Sequence, residues 1–319
     1  MNNERRSRNQ KTIKILIGVF GVLLTGAAAA LVVLIIATDT KNRPPQTQQT
    51  ATTPSDNMST APQTTAQPPA TTQPPATEPP GPPWPPAPSG EYTHLFPDLY
   101  AVNSLEDVEY INDERYVYLT FDDGPGSYTS SILDKLKKHD IKATFFVFPR
   151  GSNWSNDLLK RIVAEGHTIG IHTSSHVYRE IYASVEAYLD DFNTTRNAIY
   201  EQTGIWVDFF RFPGGSINNF NKNTRDAIFA EMERRGFVYF DWNVDSGDTG
   251  SATAESMLKN IPGEIAYLAS RNLRSVVLFH DIKSHTNQIM DELLGKLKAN
   301  GYTFATIDMK VKPMKWGAN

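Results

Sequence analysis

Between residues 116 and 307 the chain alternates brief apolar runs with longer amphipathic stretches. The brief runs cover residues 116–121, 143–148, 168–171, 209–212, 238–242, 276–279 and 303–307. Short apolar runs bounded by turn residues read as buried strands. Between them lie helical candidates at 129–139, 156–165, 184–202, 222–235, 254–271 and 287–300, and Gly166, Gly204, Gly236 and Gly301 stand just beyond four of them as stop signals. Strands alternating with helices in this way predict a parallel α/β architecture of about seven strands.

The polar residues at the strand ends separate a barrel from a doubly wound sheet. Asp122 and Asp123, His172, Arg211, Asp241 with Asp245, and His280 all fall at or just past the C-terminal ends of predicted strands. An open sheet would spread them along a line, whereas a (β/α) barrel gathers every strand end at one mouth. The barrel is therefore the expected fold.

The N-terminal part of the chain follows other rules. Residues 15–37 carry no charge and consist mainly of Leu, Ile, Val, Ala and Gly, a length that suffices for a transmembrane helix. Arg5, Arg6, Arg8, Lys11 and Lys14 precede the run and only Lys41 and Arg43 follow it closely, so residues 1–14 are expected in the cytoplasm and everything past residue 40 outside the cell. A cleaved signal peptide is the alternative, but the apolar run is longer than a usual signal core. Residues 38–90 read as a disordered linker. Fifteen of the 21 prolines lie in 44–89, where Asp56 and Glu78 are the only charges, and such a composition cannot bury enough surface to offset its ordering entropy. Residues 91–112 form a lead-in segment, 113–312 the expected catalytic domain, and 313–319 a C-terminal tail.

The chain has no cysteine, which excludes disulfides, thiolate metal sites and cysteine nucleophiles. A net charge of −4 offers no general attraction to nucleic acid, and no basic stripe interleaved with aromatics is present.

Thr120-Phe121-Asp122-Asp123-Gly124-Pro125 ends a strand in a turn. Asp-Gly-Pro can be turn chemistry alone. Paired carboxylates could also suggest a glycosidase, but that reaction needs them across one bond at about 5–9 Å, and strand neighbours point to opposite faces. One metal ligand beside one base suits adjacent positions better. His172-Thr173-Ser174-Ser175-His176 offers two imidazoles four apart, which one helical turn would bring to the same side, and with Asp123 they would make an Asp-His-His site. His94, His139, His167 and His285 have no such partner and read as ordinary surface or helix-end residues. Arg211-Phe212-Pro213-Gly214-Gly215 sets a cation before small residues that admit close backbone approach. Asp241-Trp242-Asn243-Val244-Asp245-Ser246-Gly247-Asp248 reads as an acidic loop, and Leu278-Phe279-His280-Asp281 closes an apolar strand.

Taken in order, these five segments resemble the motifs of the polysaccharide deacetylases, the NodB-homology or carbohydrate esterase family four enzymes, over roughly residues 113–310. The resemblance is greatest to bacterial peptidoglycan N-acetylglucosamine deacetylases, and it implies a distorted (β/α) barrel. It implies further that Asp123, His172 and His176 bind one divalent metal ion, usually Zn2+, with Co2+, Ni2+ or Mn2+ able to serve. Asp122 would be the base that deprotonates the attacking water and Arg211 would pair with and orient it. The backbone N–H of Gly214 would help stabilise the oxyanion. His280 would protonate the departing amine, oriented by Asp248 or, as a second choice, Asp245. Trp242 and Leu278 would line the pocket for the acetyl methyl. The sequence departs from the family pattern at Gly214, where many relatives carry Tyr, and at Thr249, where an aromatic is frequent. The implied substrate is a polysaccharide, with the peptidoglycan glycan strand expected and a chitin-like polymer as the alternative. A catalytically inactive glycan-binding member of the fold would be expected to have lost a ligand or the base, and every such position is filled.

Overall fold

The computed structural model describes residues 89–103, 108–149 and 156–317. The predicted membrane segment 15–37, the basic N-terminus and nearly all of the linker lie outside the described residues. Among the described residues no helix is long and apolar enough to cross a membrane.

The strands are β1 (Tyr116–Asp122), β2 (Thr144–Val147), β3 (Thr168–Ile171), β4 (Phe209–Phe210), β5 (Val238–Tyr239), β6 (Val244–Asp245), β7 (Ser275–His280) and β8 (Thr303–Ala305). The helices are α1 (Thr129–His139), α2 (Asn156–Ala164), α3 (Tyr178–Ile181), α4 (Val185–Thr203), α5 (Arg225–Arg234), α6 (Ala254–Ser270) and α7 (Ser284–Ala299). The sheet runs β5-β4-β3-β2-β1-β7-β6, and β8 pairs with the first half of β1. Every strand pair is parallel. The central strand β1 is buried on both faces, with Val117, Tyr118, Leu119, Thr120 and Phe121 wholly inaccessible. This explains why it reads as a continuous apolar run rather than as an alternation.

The sheet is rolled but not closed by hydrogen bonds. Among the described residues no ladder joins β5 to β6, although these strands form its two edges. Only residues 240–243 separate them in sequence, so the edges lie within about 18 Å of each other. Seven strands laid flat would be about 29 Å across. The sequence reading of 238–242 as one strand is corrected here. Val238 and Tyr239 pair with β4, after which the chain crosses the gap and Val244 and Asp245 pair with β7. Asn243 makes the landing, its N–H donating to Val276 O at 3.1 Å and its Oδ1 accepting from Val276 N at 2.7 Å. The fold is thus an α/β sheet curled into an incomplete barrel, and β6 is a strand the hydrophobic pattern did not mark.

Buried side chains tie down the lead-in segment. Arg235, 1 % exposed, donates to the carbonyls of Tyr92, Leu95, Phe96 and Leu99 and to Glu231 Oε1 at 2.6–3.0 Å. All five N–H groups of its guanidinium fork are used. Asp208 then accepts from the backbone N–H groups of Val102 and Asn103, at 2.9 Å each.

Candidate functional site

β1 delivers two adjacent carboxylates to the same mouth by ending between them. Asp122 is the last strand residue and shares the barrel's inner face with Thr120, while Asp123 leaves the strand with φ +71°. A left-handed backbone at a non-glycine residue is uncommon. Here it turns the Asp123 carboxylate towards the histidines. Gly124 must follow, because a Cβ there would lie 2.0 Å from the Asp281 carboxylate. Asp281 is fully buried, pushed up to about 7 by that burial, and accepts from Thr129 Oγ1.

His172 follows β3 and is 4 % exposed. Its Nδ1 lies 2.9 Å from the Arg211 carbonyl, which can only accept, so Nδ1 carries a proton and the Nε2 lone pair faces the mouth. His176 reaches the same point differently from the sequence expectation. Residues 172–177 form no helical turn. Instead, Asp191 on α4 accepts from Thr173 Oγ1 and from the Ser174 and Ser175 N–H groups at 2.7–2.8 Å, folding the segment into a loop. His176 takes φ +54° and its N–H donates to Thr173 Oγ1. Asp191 is a site-forming residue that the sequence reading missed, since an acid in the first turns of an amphipathic helix carries no distinguishing signal.

Asp123 Oδ1 stands 3.4 Å from His172 Nε2 and 3.3 Å from His176 Nε2. The three ligand atoms lie within 4.8 Å of one another. Asp123 Oδ1 is buried and finds no hydrogen-bond donor among the described residues. A buried anionic oxygen facing two imidazole nitrogens, with one tautomer fixed from behind, is a donor set that fits a divalent cation. Burial by itself would raise the Asp123 carboxyl, but the two imidazoles hold it well below the usual carboxylate range. Burial would likewise lower His172, and Asp122 and Asp123 raise it instead.

Around this cluster stand two hydrogen-bonded pairs. Arg211, inaccessible to solvent, donates through Nη1 to Asp122 Oδ1 at 2.9 Å and to Thr120 Oγ1 at 2.7 Å, and through Nε to Phe240 O at 2.9 Å. Its guanidinium lies 4.2 Å from the centroid of the Phe146 ring. β1 and β4 are three strands apart, about 14 Å in a flat sheet, so this contact exists because the sheet curls. On the other side His280, beside Asp122 in the β1–β7 register, places Nδ1 2.7 Å from Asp248 Oδ1. Asp248 Oδ2 accepts from the His280 N–H and from Thr286 Oγ1. Asp245 is exposed and, among the described residues, accepts only from the Gly247 N–H, so the carboxylate that touches His280 is that of Asp248. Burial would lower His280, but the Asp248 hydrogen bond and the charges of Asp122, Asp248 and Asp123 push it up to about 9.

Asp241 does different work from its neighbours in sequence. It is fully buried and accepts from Ser216 N, Ser216 Oγ and Trp316 N at 2.6–2.8 Å, while its own N–H donates to Met314 O. It fastens the 213–216 turn and the C-terminal residues to the barrel. Trp316 in turn donates Nε1–H to Trp242 O at 2.7 Å and packs edge-on to the Trp242 ring at 4.4 Å. Residues 313–317, expected as a tail, therefore form part of the site's surround, and Trp316 is a second residue the sequence reading overlooked. Leu278 is buried on β7, and Gly214 is exposed with φ +74°.

The family profile for polysaccharide deacetylases matches residues 110–230. The chain is 32% identical over 194 residues to a peptidoglycan-N-acetylglucosamine deacetylase of Bacillus cereus, covering 60% of this chain and 69% of that relative. Its fold is similar to the catalytic domain of peptidoglycan N-acetylglucosamine deacetylase from Eubacterium rectale, with TM-score 0.62 and 35% identity over 66% of this chain and 97% of the other. It is also similar to a CE4 esterase of Streptococcus mutans, with TM-score 0.55 and 32% identity over 66% of this chain and 92% of that one. By these matches the chain belongs to the polysaccharide deacetylase family.

Proposed function

We propose that this chain is a metal-dependent N-deacetylase acting on the N-acetylglucosamine residues of peptidoglycan, with the Asp123–His172–His176 cluster as its metal centre. The observation that carries the reading is the convergence at one mouth of that ligand set, the Asp122–Arg211 pair and the Asp248–His280 pair. Relatives named as peptidoglycan N-acetylglucosamine deacetylases support the choice of substrate. A divalent cation held there supplies Lewis-acid polarisation of the acetyl carbonyl and makes a nearby water more acidic.

The remaining chemistry belongs to side chains and backbone. Asp122, fixed by Arg211, takes a proton from the water as its oxygen attacks the acetamide carbon. The Gly214 N–H donates to the carbonyl oxygen as charge develops on it. His280, held at Nδ1 by Asp248, gives its Nε2 proton to the amide nitrogen. The C–N bond then breaks, leaving acetate and a free amino sugar. Trp242 and Leu278 border the space for the acetyl methyl. The basic flank before residues 15–37 and the proline-rich stretch after them support an anchored enzyme, with its N-terminus in the cytoplasm and its catalytic domain facing the wall.

The test is incubation of the purified protein with N-acetylglucosamine oligomers, following acetate and chain length together. Acetate release without chain shortening, abolished by a chelator and restored by Zn2+, is the expected outcome. Shortened chains without acetate would make it a glycosidase, and chelator-resistant acetate release would remove the metal from the mechanism.

A further inference from the structure

The turn at Gly214 leaves no side chain on one side of the site, and a ring from another element fills the place. A Cβ at Gly214 would lie 3.1 Å from Tyr178 Oη and 3.2 and 3.3 Å from its Cε2 and Cζ. Tyr178 opens α3, two residues beyond the proposed ligand His176. Its ring packs 5.2 Å from the His176 imidazole and edge-on against Phe220 at 5.1 Å and Tyr182 at 6.2 Å. Tyr182, just past α3, donates its hydroxyl to Pro213 O at 2.7 Å. One tyrosine thus braces the 213–214 turn from beneath while the other lies along its open side. Phe220, 49 % exposed, carries the aromatic surface outward.

Tyr178 is half-buried, and among the described residues no acceptor pairs with its hydroxyl. A phenolic O–H is protonated at neutral pH and can donate. An aromatic face with a hydroxyl donor at its rim recognises a pyranose, which presents C–H groups on its faces and oxygens at its edge, whereas a bare acetyl group has use for neither.

We propose that Tyr178 is a specificity residue that contacts the acetylated sugar: its ring forms the subsite wall beside Gly214 and its hydroxyl donates to a sugar oxygen. The inference rests on the deacetylase reading above. It places the sugar wall two residues from the proposed metal ligand His176.

The experiment compares the full chain with Tyr178→Phe, Tyr178→Ala, Gly214→Ala and the Ala/Ala double variant. Metal content, binding of an N-acetylglucosamine tetramer, and kcat/KM on that tetramer and on 4-nitrophenyl acetate are measured. Loss of one neutral hydrogen bond predicts a fall of about 3–10-fold in selectivity for the tetramer over the aryl ester in Tyr178→Phe, chiefly through KM, with wild-type metal content. Gly214→Ala keeps the backbone N–H and pushes a methyl at the ring, so it should cost more in the wild type than in Tyr178→Ala, where the strain of φ is the same but the ring is gone. Unchanged selectivity in Tyr178→Phe, or equal losses on both substrates accompanied by loss of metal, would overturn the proposal. A wild-type protein that releases no acetate, yet binds the tetramer more tightly than Tyr178→Ala does, would sink the deacetylase reading and leave the recognition role standing.

Discussion

His280 carries a proton that burial opposes and Asp248 retains. Its ordinary value of 6.5 rises to about 9 because a hydrogen-bonded carboxylate and two further acids outweigh desolvation. A bound cation would offset part of the Asp122 and Asp123 contribution but not the direct Asp248 bond, so the metal-loaded enzyme should lose activity on an alkaline limb between 6.5 and about 9. A raised histidine value means that its stabilisation is full below 6.5 and is lost as pH rises through the folded value. Asp248→Asn removes the largest raising contribution. The alkaline limb of kcat should move to lower pH, and kcat at pH 8 should fall by about tenfold or more, as read from a pH profile of acetate release. A limb that stays in place would mean that His280 is not the acid. By contrast, His167 carries no such burden. Burial lowers it to about 4 and its Nδ1 accepts from the Ala143 N–H, which leaves it a neutral packing residue.

At the scale of elements, the legible and illegible parts of this site differ by physical cause. Asp122, Asp123, His172, Arg211 and His280 stand out in the sequence because strand ends in a parallel sheet are where chemistry collects. The order of strands was hidden, because β4, β5 and β6 have two residues each and their pairing is decided by the curl, not by local propensity. The apolar run 238–242 crosses between sheet edges, a feature no periodicity can report. Trp316 was illegible because its partners Asp241 and Trp242 are about 75 residues away in sequence, and Asp191 because an acid on an amphipathic helix carries no distinguishing signal. The C-terminal residues make the point testable. Ending the chain after Lys312 removes Met314 O and Trp316 N–H from the fully buried Asp241. Each buried polar group left unpaired costs about 1–3 kcal/mol. For a domain of this size the thermal midpoint should drop by roughly 5–10 °C. An unchanged midpoint in calorimetry would show that residues 313–317 are dispensable to the fold.

For the molecule as a whole, curvature is what makes the site. In a flat sheet Arg211, just past β4, could not bond Asp122 on β1. The rolled sheet brings them to 2.9 Å and sets His172 Nε2 4.0 Å from the other Asp122 oxygen. Arg235 and Asp208 fasten the lead-in segment to the same body. The proposed mechanism divides the labour between two chemically identical neighbours at the end of the central strand. Asp123, bent out of β1 and aimed at two imidazoles, would hold the metal, and Asp122, locked by Arg211, would move the proton. The most direct test is metal stoichiometry and acetate release measured side by side for Asp122→Asn and Asp123→Ala. Asp122→Asn should keep its metal and lose about 10²–10⁴-fold in turnover, while Asp123→Ala should lose metal and activity together. A metal-free Asp122→Asn beside a metal-replete, active Asp123→Ala would contradict the account.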